Sequence, residues 1–413
     1  MPNVVDASPL GQPLGWFAPG RIEVLGKHTD YAGGRSLLAA VDRGVRVNLI
    51  PAKHGITARS GALPGDLRVV PGEPLSVPDG HWGNYLQTVV DRLFENFAPL
   101  APVEITIDSD LPLASGMSSS SALVVGLAVS LAEYNGFTET ARWRSHIHGP
   151  EDLAGFLACF ENGMSFGDLA GRRGVGTFGG SEDHTAMLCC RDGHLGLFSF
   201  GPIREEAGLA MPADHSFVVA VSGVAAEKTG AARDLYNRAA LAVTEILRRW
   251  NSGADERGSG PHESLAAAVR SSDEALGQLR ALTGDEDYLR RRLEHFVAES
   301  EQIIPRAVEA LGAGDLAGFG EAVDQSQHRA SALLGNQVPQ TEFLAQQART
   351  LGAVAATSFG AGFGGSVWAM VPSAGADAFA EDWLGRYAVQ YPAEAVTAST
   401  ILTRPGGPIR PII

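Results

Sequence analysis

The segment LPLASGMSSSSALVVG, residues 111–126, joins two contrasting patterns. Before it, residues 102–110 (PVEITIDSD) alternate apolar and polar side chains, which predicts a β-strand. An apolar run, residues 122–131, begins within this segment and predicts a buried helix. A glycine and four consecutive serines precede that run. Backbone N–H groups at a helix start attract anions, and serine hydroxyls add donors or a metal ligand. The segment therefore indicates either a phosphate-binding loop or a serine-rich cap on a core helix.

Composition limits the class of protein. A chain of 413 residues exceeds what one hydrophobic core usually organises, so we expect two domains. The 32 basic and 47 acidic residues give a net charge of −15, which argues against a nucleic-acid or anionic-membrane partner. No stretch reaches transmembrane length without polar breaks.

The cysteines and the N-terminus bear on location. Cys159, Cys189 and Cys190 form no disulfide framework and lack CxxC spacing. The opening residues MPNVVDASPLGQPLGWF contain neither a basic region nor an apolar region of the secretory type. Both observations predict a cytoplasmic protein.

Two polar segments interrupt the apolar pattern. KHTDYAGG, residues 27–34, lies between predicted strands at 15–26 and 36–52, and is either a functional loop or a solvated hairpin turn. GGSEDHTAML, residues 179–188, carries Glu182, Asp183 and His184 after a glycine pair. These acids either cap a helix or hold a catalytic carboxylate at the mouth of a cleft.

The remaining chain predicts a connector followed by helices. Residues 201–214 contain Pro and Gly between predicted strands, so we place the domain boundary there, giving domains of residues 1–205 and 206–413. Helices are predicted at 151–163, 227–250, 263–282, 287–311 with a bend at Pro305, and 342–351.

A glycine-rich segment near the C-terminus resembles a dinucleotide-binding motif in its spacing. Gly360, Gly362 and Gly365 match GxGxxG, but the following SVWAMV is β-like and does not open a helix. We therefore reject a dinucleotide-binding fingerprint and predict a glycine loop closing a β-hairpin. No GxxxxGK[ST] phosphate loop occurs.

Three segments in a fixed order resemble one family. APGRIEVLGKHTDYAGG resembles the galactokinase signature, LASGMSSSSA the phosphate loop of GHMP kinases, and SFGAGFGGSVWAM their third motif. WGNY at 82–85, GGSEDHTA at 179–186 and KTGAARDLYNRA at 228–239 add lesser matches to galactokinases. The resemblance implies an α+β, two-domain fold with the active site between the domains. Its N-terminal domain would be like domain 2 of ribosomal protein S5, and its C-terminal domain ferredoxin-like.

The resemblance also implies roles for the nucleotide site. The backbone of one continuous run would cradle the ATP phosphates: Gly116, Met117, Ser118, Ser119, Ser120, Ser121 and Ala122. Ser120 is the preferred serine for Mg²⁺, and Glu161 would complete the metal shell, since hard oxygen ligands suit that ion. Glu161 and Asp183 lie further apart than in typical galactokinases, which implies an inserted loop within 162–174.

On the sugar side, Asp183 matches the family's catalytic aspartate and Arg21 its paired arginine. Asp183 would orient the sugar hydroxyl and accept its proton, while Arg21 balances charge on the moving phosphoryl group. His28, Asp30 and Tyr236 match sugar-contacting positions, and Gly362 would lie close to substrate.

Lys27 departs from the signature, which has a glutamate there. One hypothesis is that Lys27 pairs with the carboxylate of a uronic acid such as galacturonate or glucuronate. The other is that Lys27 points to solvent and galactose is accepted through Asp30. Glu23 replaces the signature's asparagine and could pair with Lys27 or Arg21.

The sequence thus predicts an ATP-dependent monosaccharide kinase, phosphorylating the anomeric 1-hydroxyl of galactose or a related sugar. A non-catalytic sugar and ATP sensor remains an alternative, as does another GHMP small-molecule kinase such as a mevalonate or homoserine kinase. Release of ADP with a panel of sugars separates these alternatives.

Overall fold

The computed structural model describes residues 12–62, 65–78, 80–112, 116–224, 230–254 and 260–412, with backbone only for 230–233. Two β-sheets organise these residues. The first sheet contains β1 (Leu14–Leu25), β2 (Arg35–Pro51), β3 (Ile56–Ser60), β4 (Leu67–Val69), β5 (Val103–Ser109), β6 (His194–Ser199), β7 (Arg204–Ala210) and the C-terminal β12 (Arg410–Pro411). The second contains β8 (His215–Val221), β9 (Ala355–Phe359), β10 (Ser366–Pro372) and β11 (Ser399–Thr403).

The long strand β2 holds the first sheet together. It runs antiparallel to β1 along its whole length, while its start pairs with β6 and its end pairs with β5. Helices of this half are α1 (Trp82–Asn96), α2 (Ser119–Tyr134), α3 (Ala141–Arg144), α4 (Pro150–Asn162) and α5 (Glu182–Cys189). Because α2 is apolar on nearly every face, it is buried against β1, β2, α1 and α4.

The second sheet has the order β11-β8-β10-β9, and its pairs are antiparallel. The helices that follow β8 are α6 (Gly230–Ser252), α7 (Leu265–Val269), α8 (Ala275–Thr283), α9 (Asp287–Phe296), α10 (Ile304–Gly312), α11 (Leu316–Arg329) and α12 (Pro339–Thr350); α13 (Ala376–Gln390) lies between β10 and β11. Strand β8, helices, β9, β10, α13 and β11 together form the β-α-β-β-α-β arrangement of ferredoxin-like folds. The predicted α+β fold with two GHMP-type halves is confirmed.

Several sequence predictions differ in detail. Residues 201–214 are not a plain connector, because β7 forms there as an edge strand on β6. The helix predicted at 263–282 is two helices, α7 and α8. Residues 297–303 form a π-helical segment between α9 and α10, directly before Pro305, whose missing N–H cannot continue the α-helical pattern. The domain boundary after residue 205 stays a prediction.

Within the described ranges, no helix combines the length and apolar character needed to cross a membrane.

Candidate active site

A pocket lies where β1, the loop 26–34, the start of α5 and the loop between β9 and β10 meet. Both sheets therefore contribute to its wall. Seven residues assigned to the site from the sequence line it: Arg21, His28, Asp30, Ser121, Glu161, Asp183 and Tyr236. The fold brings these distant segments together in one site.

An ion pair lies at the centre of the pocket. Arg21 Nη2 is 2.5 Å from Asp183 Oδ1, and the two side chains are only 4% and 15% exposed. Arg21 also donates through Nη1 to the carbonyl of Gly116. Burial disfavours the charged guanidinium, but the carboxylates of Asp183, Glu182 and Glu23 outweigh burial and raise the pKa of Arg21. Arg21 therefore stays cationic and fixes the orientation of Asp183.

The serine run contacts the other oxygen of the same aspartate. Ser118 donates from Oγ to Asp183 Oδ2 at 2.6 Å, and Ser121 Oγ lies 3.2 Å from that oxygen. Ser118 has a left-handed φ of 56° and precedes α2 without capping it through its side chain. No acidic residue lies in the first turn of α2, so the positive end of the helix faces the site without a competing carboxylate of its own.

Glu161 reaches the serine run from the end of α4. Ser121 donates to Glu161 Oε1 at 2.6 Å, and His184 Nε2 lies 3.4 Å from the same oxygen. The long interval before Asp183 does not displace Glu161, because the chain turns back and Val175 donates its N–H to the Glu161 carbonyl. The contact is made by Ser121, whereas the sequence favoured Ser120; metal binding by Ser120 stays a prediction.

His28 joins the loop 26–34 to the loop between β9 and β10. Its Nε2–H donates to the Ala361 carbonyl at 3.0 Å, since a carbonyl oxygen can only accept. In the neutral ring, Nδ1 then accepts from the Tyr31 hydroxyl at 2.8 Å. The His28 ring also lies 5.1 Å from the ring of Tyr236. These contacts hold the imidazole in one orientation at the pocket wall.

Asp30 lies next to the start of α5. One of its oxygens accepts the N–H of Glu182 at 3.1 Å. A Cβ on Gly180 would lie 2.4 Å from the same oxygen, so only glycine permits this approach. Burial raises the pKa of Asp30, although two backbone N–H groups oppose the shift.

Lys27 is not among the residues that line the pocket, and it does not point to solvent as one of the two hypotheses expected. Substrate binding by Lys27 stays a prediction. Its side chain is fully buried, and Nζ donates to Ser326 Oγ at 3.0 Å. Ser326 in turn donates to Glu299 Oε1 at 2.9 Å, and that oxygen also accepts the N–H of Gly26 at 2.9 Å. The ammonium therefore belongs to a buried network beneath the loop 26–34.

The loop between β9 and β10 is the predicted glycine turn of a hairpin. Gly360 and Ala361 line the pocket, whereas Gly362 packs on Asn336, whose carbonyl oxygen would lie 2.4 Å from a Cβ at Gly362. Substrate binding by Gly362 stays a prediction. Thr177 also lines the pocket and carried no distinctive sequence signal.

Two buried glutamates, Glu23 and Glu182, lie beside the ion pair. They are hydrogen-bonded to each other, and Ser36 Oγ donates to Glu182 Oε2 at 2.9 Å. Burial raises the pKa of Glu23 to about 7, against the lowering effect of Lys27 and Arg21. Burial likewise raises the pKa of Glu182 well above its usual range. A hydrogen bond between two carboxyl groups requires a proton, so the pair shares one.

Family models match three parts of the chain. The galactokinase galactose-binding signature matches residues 8–50, the GHMP kinase N-terminal domain residues 84–158, and the GHMP kinase C-terminal domain residues 307–389. Together with the relatives described next, these matches support a GHMP, galactokinase-like sugar kinase.

The similar proteins include galactokinases and, among solved structures, a mevalonate kinase. The galactokinase of Roseiflexus sp. (strain RS-1) is 27% identical over 374 residues, covering 90% of this chain and 86% of the relative. The galactokinase of Streptomyces coelicolor is 28% identical over 381 residues, covering 88% and 86%. The crystal structure of Lactococcus lactis galactokinase complexed with galactose superposes with a TM-score of 0.76 at 22% identity, covering 96% and 95%. The crystal structure of L. major mevalonate kinase in complex with R-mevalonate superposes with a TM-score of 0.57 at 17% identity, covering 99% of this chain and 100% of that structure.

Proposed function

We propose that this protein is a galactokinase that transfers the γ-phosphoryl group of ATP to the anomeric hydroxyl of galactose. The observation that carries the proposal is the Arg21–Asp183 ion pair. It lies between a loop that matches a galactose-binding signature and a serine run at a helix start. One carboxylate thus faces both the expected acceptor and the expected donor.

The geometry suggests a role in catalysis for Asp183 and another for Arg21. Asp183 would take the proton of the attacking sugar hydroxyl, which would displace the serine hydroxyl that now donates to Oδ2. Arg21 would offset negative charge on the moving phosphoryl group. Since phosphoryl transfer has a loose transition state, positioning and charge stabilisation supply most of the acceleration.

The residues present fit Mg²⁺ together with ATP. Ser121 and Glu161 place a hydroxyl and a carboxylate side by side, both hard oxygen ligands. Among the described residues, no three His, Cys, Asp or Glu side chains form a metal cluster. Nucleotide phosphates and water would therefore complete the shell, as is usual for Mg²⁺ in kinases. The ion would neutralise charge on the phosphates.

The serine run and the loop 26–34 would bind the two substrates. ATP phosphates would bind the backbone of residues 116–122, and His28, Asp30 and Tyr236 would contact the sugar. Cytoplasmic location is proposed on the three free thiols and the reducing compartment they suit.

The test is release of ADP by the purified protein with MgATP and a panel of acceptors. The panel contains galactose, glucose, galacturonate, glucuronate, mevalonate and homoserine, and ³¹P NMR identifies the product. We expect galactose 1-phosphate and little turnover of either uronate, because the pocket is rich in carboxylates. Galactose binding without ADP release would indicate a sensor, and preferred turnover of another acceptor would contradict the proposal.

A further inference from the structure

Glu23, a residue of the pocket lining, has a buried oxygen without a hydrogen-bond partner. Glu23 is 3% exposed, and its Oε1 accepts no hydrogen bond from any residue that the structure describes. Glu23 nevertheless lines the same pocket as Asp30, Glu182 and Asp183. A buried carboxylate oxygen without a donor destabilises the site, because its lost hydration is not replaced. A donor from a bound ligand would remove that destabilisation.

The neighbours of Glu23 hold it in place without using this oxygen. The carboxyl group is hydrogen-bonded to Glu182, which fixes its orientation in the pocket wall. The backbone is also fixed, because the Glu23 carbonyl accepts from Trp368 Nε1 at 3.2 Å. Glu23 Oε1 is therefore an oriented acceptor rather than a flexible one.

The buried position of Lys27 bears on the same oxygen. Its Nζ donates to a buried serine, and Lys27 is not among the residues that line the pocket. Glu23, Glu182 and Asp183 place carboxyl groups in the pocket wall beside Arg21. A sugar hydroxyl that meets a carboxylate oxygen there can donate a hydrogen bond to it.

We propose that Glu23 is a specificity-determining residue, whose Oε1 accepts a hydrogen bond from one hydroxyl of the bound sugar. The inference rests on the proposed function and adds to it a residue outside the Arg21–Asp183 pair. It assigns the preference for a neutral, hydroxyl-bearing sugar to a named oxygen on β1.

Glu299 provides a matched control. It is fully buried, and its Oε2 also lacks a partner among the described residues. It belongs to the network of Lys27 and Ser326, but it does not line the pocket. Replacement of Glu299 therefore removes a buried glutamate near Lys27 without removing an acceptor from the pocket.

The experiment measures kcat/KM for galactose and its 2-, 3-, 4- and 6-deoxy analogues. The proteins are wild type, Glu23→Met, Glu23→Gln and Glu299→Met, each checked for folding by circular dichroism. For the wild type we expect one analogue to lose about tenfold or more in kcat/KM, because it leaves a buried acceptor oxygen without its hydrogen bond. In Glu23→Met the kcat/KM for that one analogue should equal the kcat/KM for galactose, while the losses for the other analogues persist. Glu23→Gln, which keeps an uncharged acceptor oxygen, should show an intermediate penalty, and Glu299→Met the wild-type pattern.

An equal loss for galactose and all four analogues in Glu23→Met would overturn the inference and leave the proposed function standing. If Glu23→Met does not fold, an unchanged deoxy penalty in Glu23→Gln overturns it equally. Absence of galactose turnover by the wild type would instead contradict the proposed function, and this inference with it.

Discussion

Lys27 illustrates how neighbours determine the role of a residue. Its loop also carries His28 and Asp30, which line the pocket, but the lysine side chain extends to Ser326. A buried ammonium requires nearby negative charge, and Glu23 supplies it while Glu299 accepts from the same serine. The lysine is therefore part of the support beneath the loop, and its charge stabilises the fold.

Removal of this charge should cost stability. Lys27→Met leaves buried carboxylates without their cation, so we expect the free energy of unfolding to fall by about 3 kcal/mol. Urea denaturation measures the change. Lys53→Met is the control, because Lys53 is exposed and should change stability by less than about 0.5 kcal/mol. Equal midpoints for the two variants would contradict the structural role of Lys27.

The carboxyl group of Glu23 should make stability depend on pH. Burial raises its pKa from 4.5 to about 7, although Lys27 and Arg21 oppose the shift and Glu299 adds to it. The folded protein then binds more protons than the unfolded protein between these values, so stability falls as pH rises through them.

This dependence is measured as a difference from Glu23→Gln, which cannot titrate at that position. Between pH 4.5 and about 7, wild type should lose up to ~3 kcal/mol of unfolding free energy relative to Glu23→Gln. The other carboxyl groups that act on Glu23, Glu182 and Glu299, are present in both proteins. Parallel stability curves across that interval would show that Glu23 titrates normally.

At the scale of elements, two loops meet at the ion pair. Gly360, in the loop between β9 and β10, has a φ of 79°. A Cβ there would lie 3.1 Å from the Gly116 carbonyl and 3.7 Å from Arg21 Nη2. The glycine loop thus packs directly on the start of the serine run. The second sheet therefore helps to position the segment that we propose binds the nucleotide phosphates.

Gly360→Ala should separate these loops. We expect kcat/KM for ATP to fall about tenfold, because small displacements of positioned groups are costly to rate. Gly352→Ala is the matched control, with a φ of 93° but open space around the added carbon. Both variants should lose about 1 kcal/mol of stability from the left-handed backbone. Equal kinetics of the two variants would contradict a role for the loop contact.

The sequence predicted elements where local pattern dominates. The strand before the serine run, α2, and the hairpin around Gly360 follow from alternation, apolar runs and glycine placement. It missed β7, because that edge strand is held by pairing with β6 rather than by an apolar pattern of its own. It also missed the division between α7 and α8, where short-range propensity continued across a turn.

At the scale of the whole molecule, helices that follow β8 support the loop 26–34. Arg292 on α9 is fully buried and donates to the His28 carbonyl and, at 3.2 Å, to the Tyr31 hydroxyl. Neither this contact nor that of Lys27 with Ser326 has a local sequence signal, because the partners lie hundreds of residues apart. The sequence therefore predicted the pocket-lining residues better than it predicted their support.

Loss of that support should affect the sugar more than the nucleotide. In Arg292→Met we expect KM for galactose to rise about tenfold while KM for ATP stays within about twofold, because the lost bonds fix His28. Arg290→Met, an exposed position on the same helix, should leave both constants unchanged. Initial rates at varied galactose and ATP measure both constants. Equal increases in both constants would instead indicate a general loss of structure.

The central claim is that Asp183, held by Arg21, acts directly in phosphoryl transfer to galactose. The most direct measurement is the rate of ADP release with saturating MgATP and galactose for wild type, Asp183→Asn and Asp168→Asn. Asp168 is the control, because its side chain is 72% exposed and lies outside the pocket lining. We predict a loss of at least about a hundredfold in Asp183→Asn, with ATP binding retained, and wild-type turnover in Asp168→Asn. Turnover by folded Asp183→Asn within a few-fold of wild type would contradict the claim.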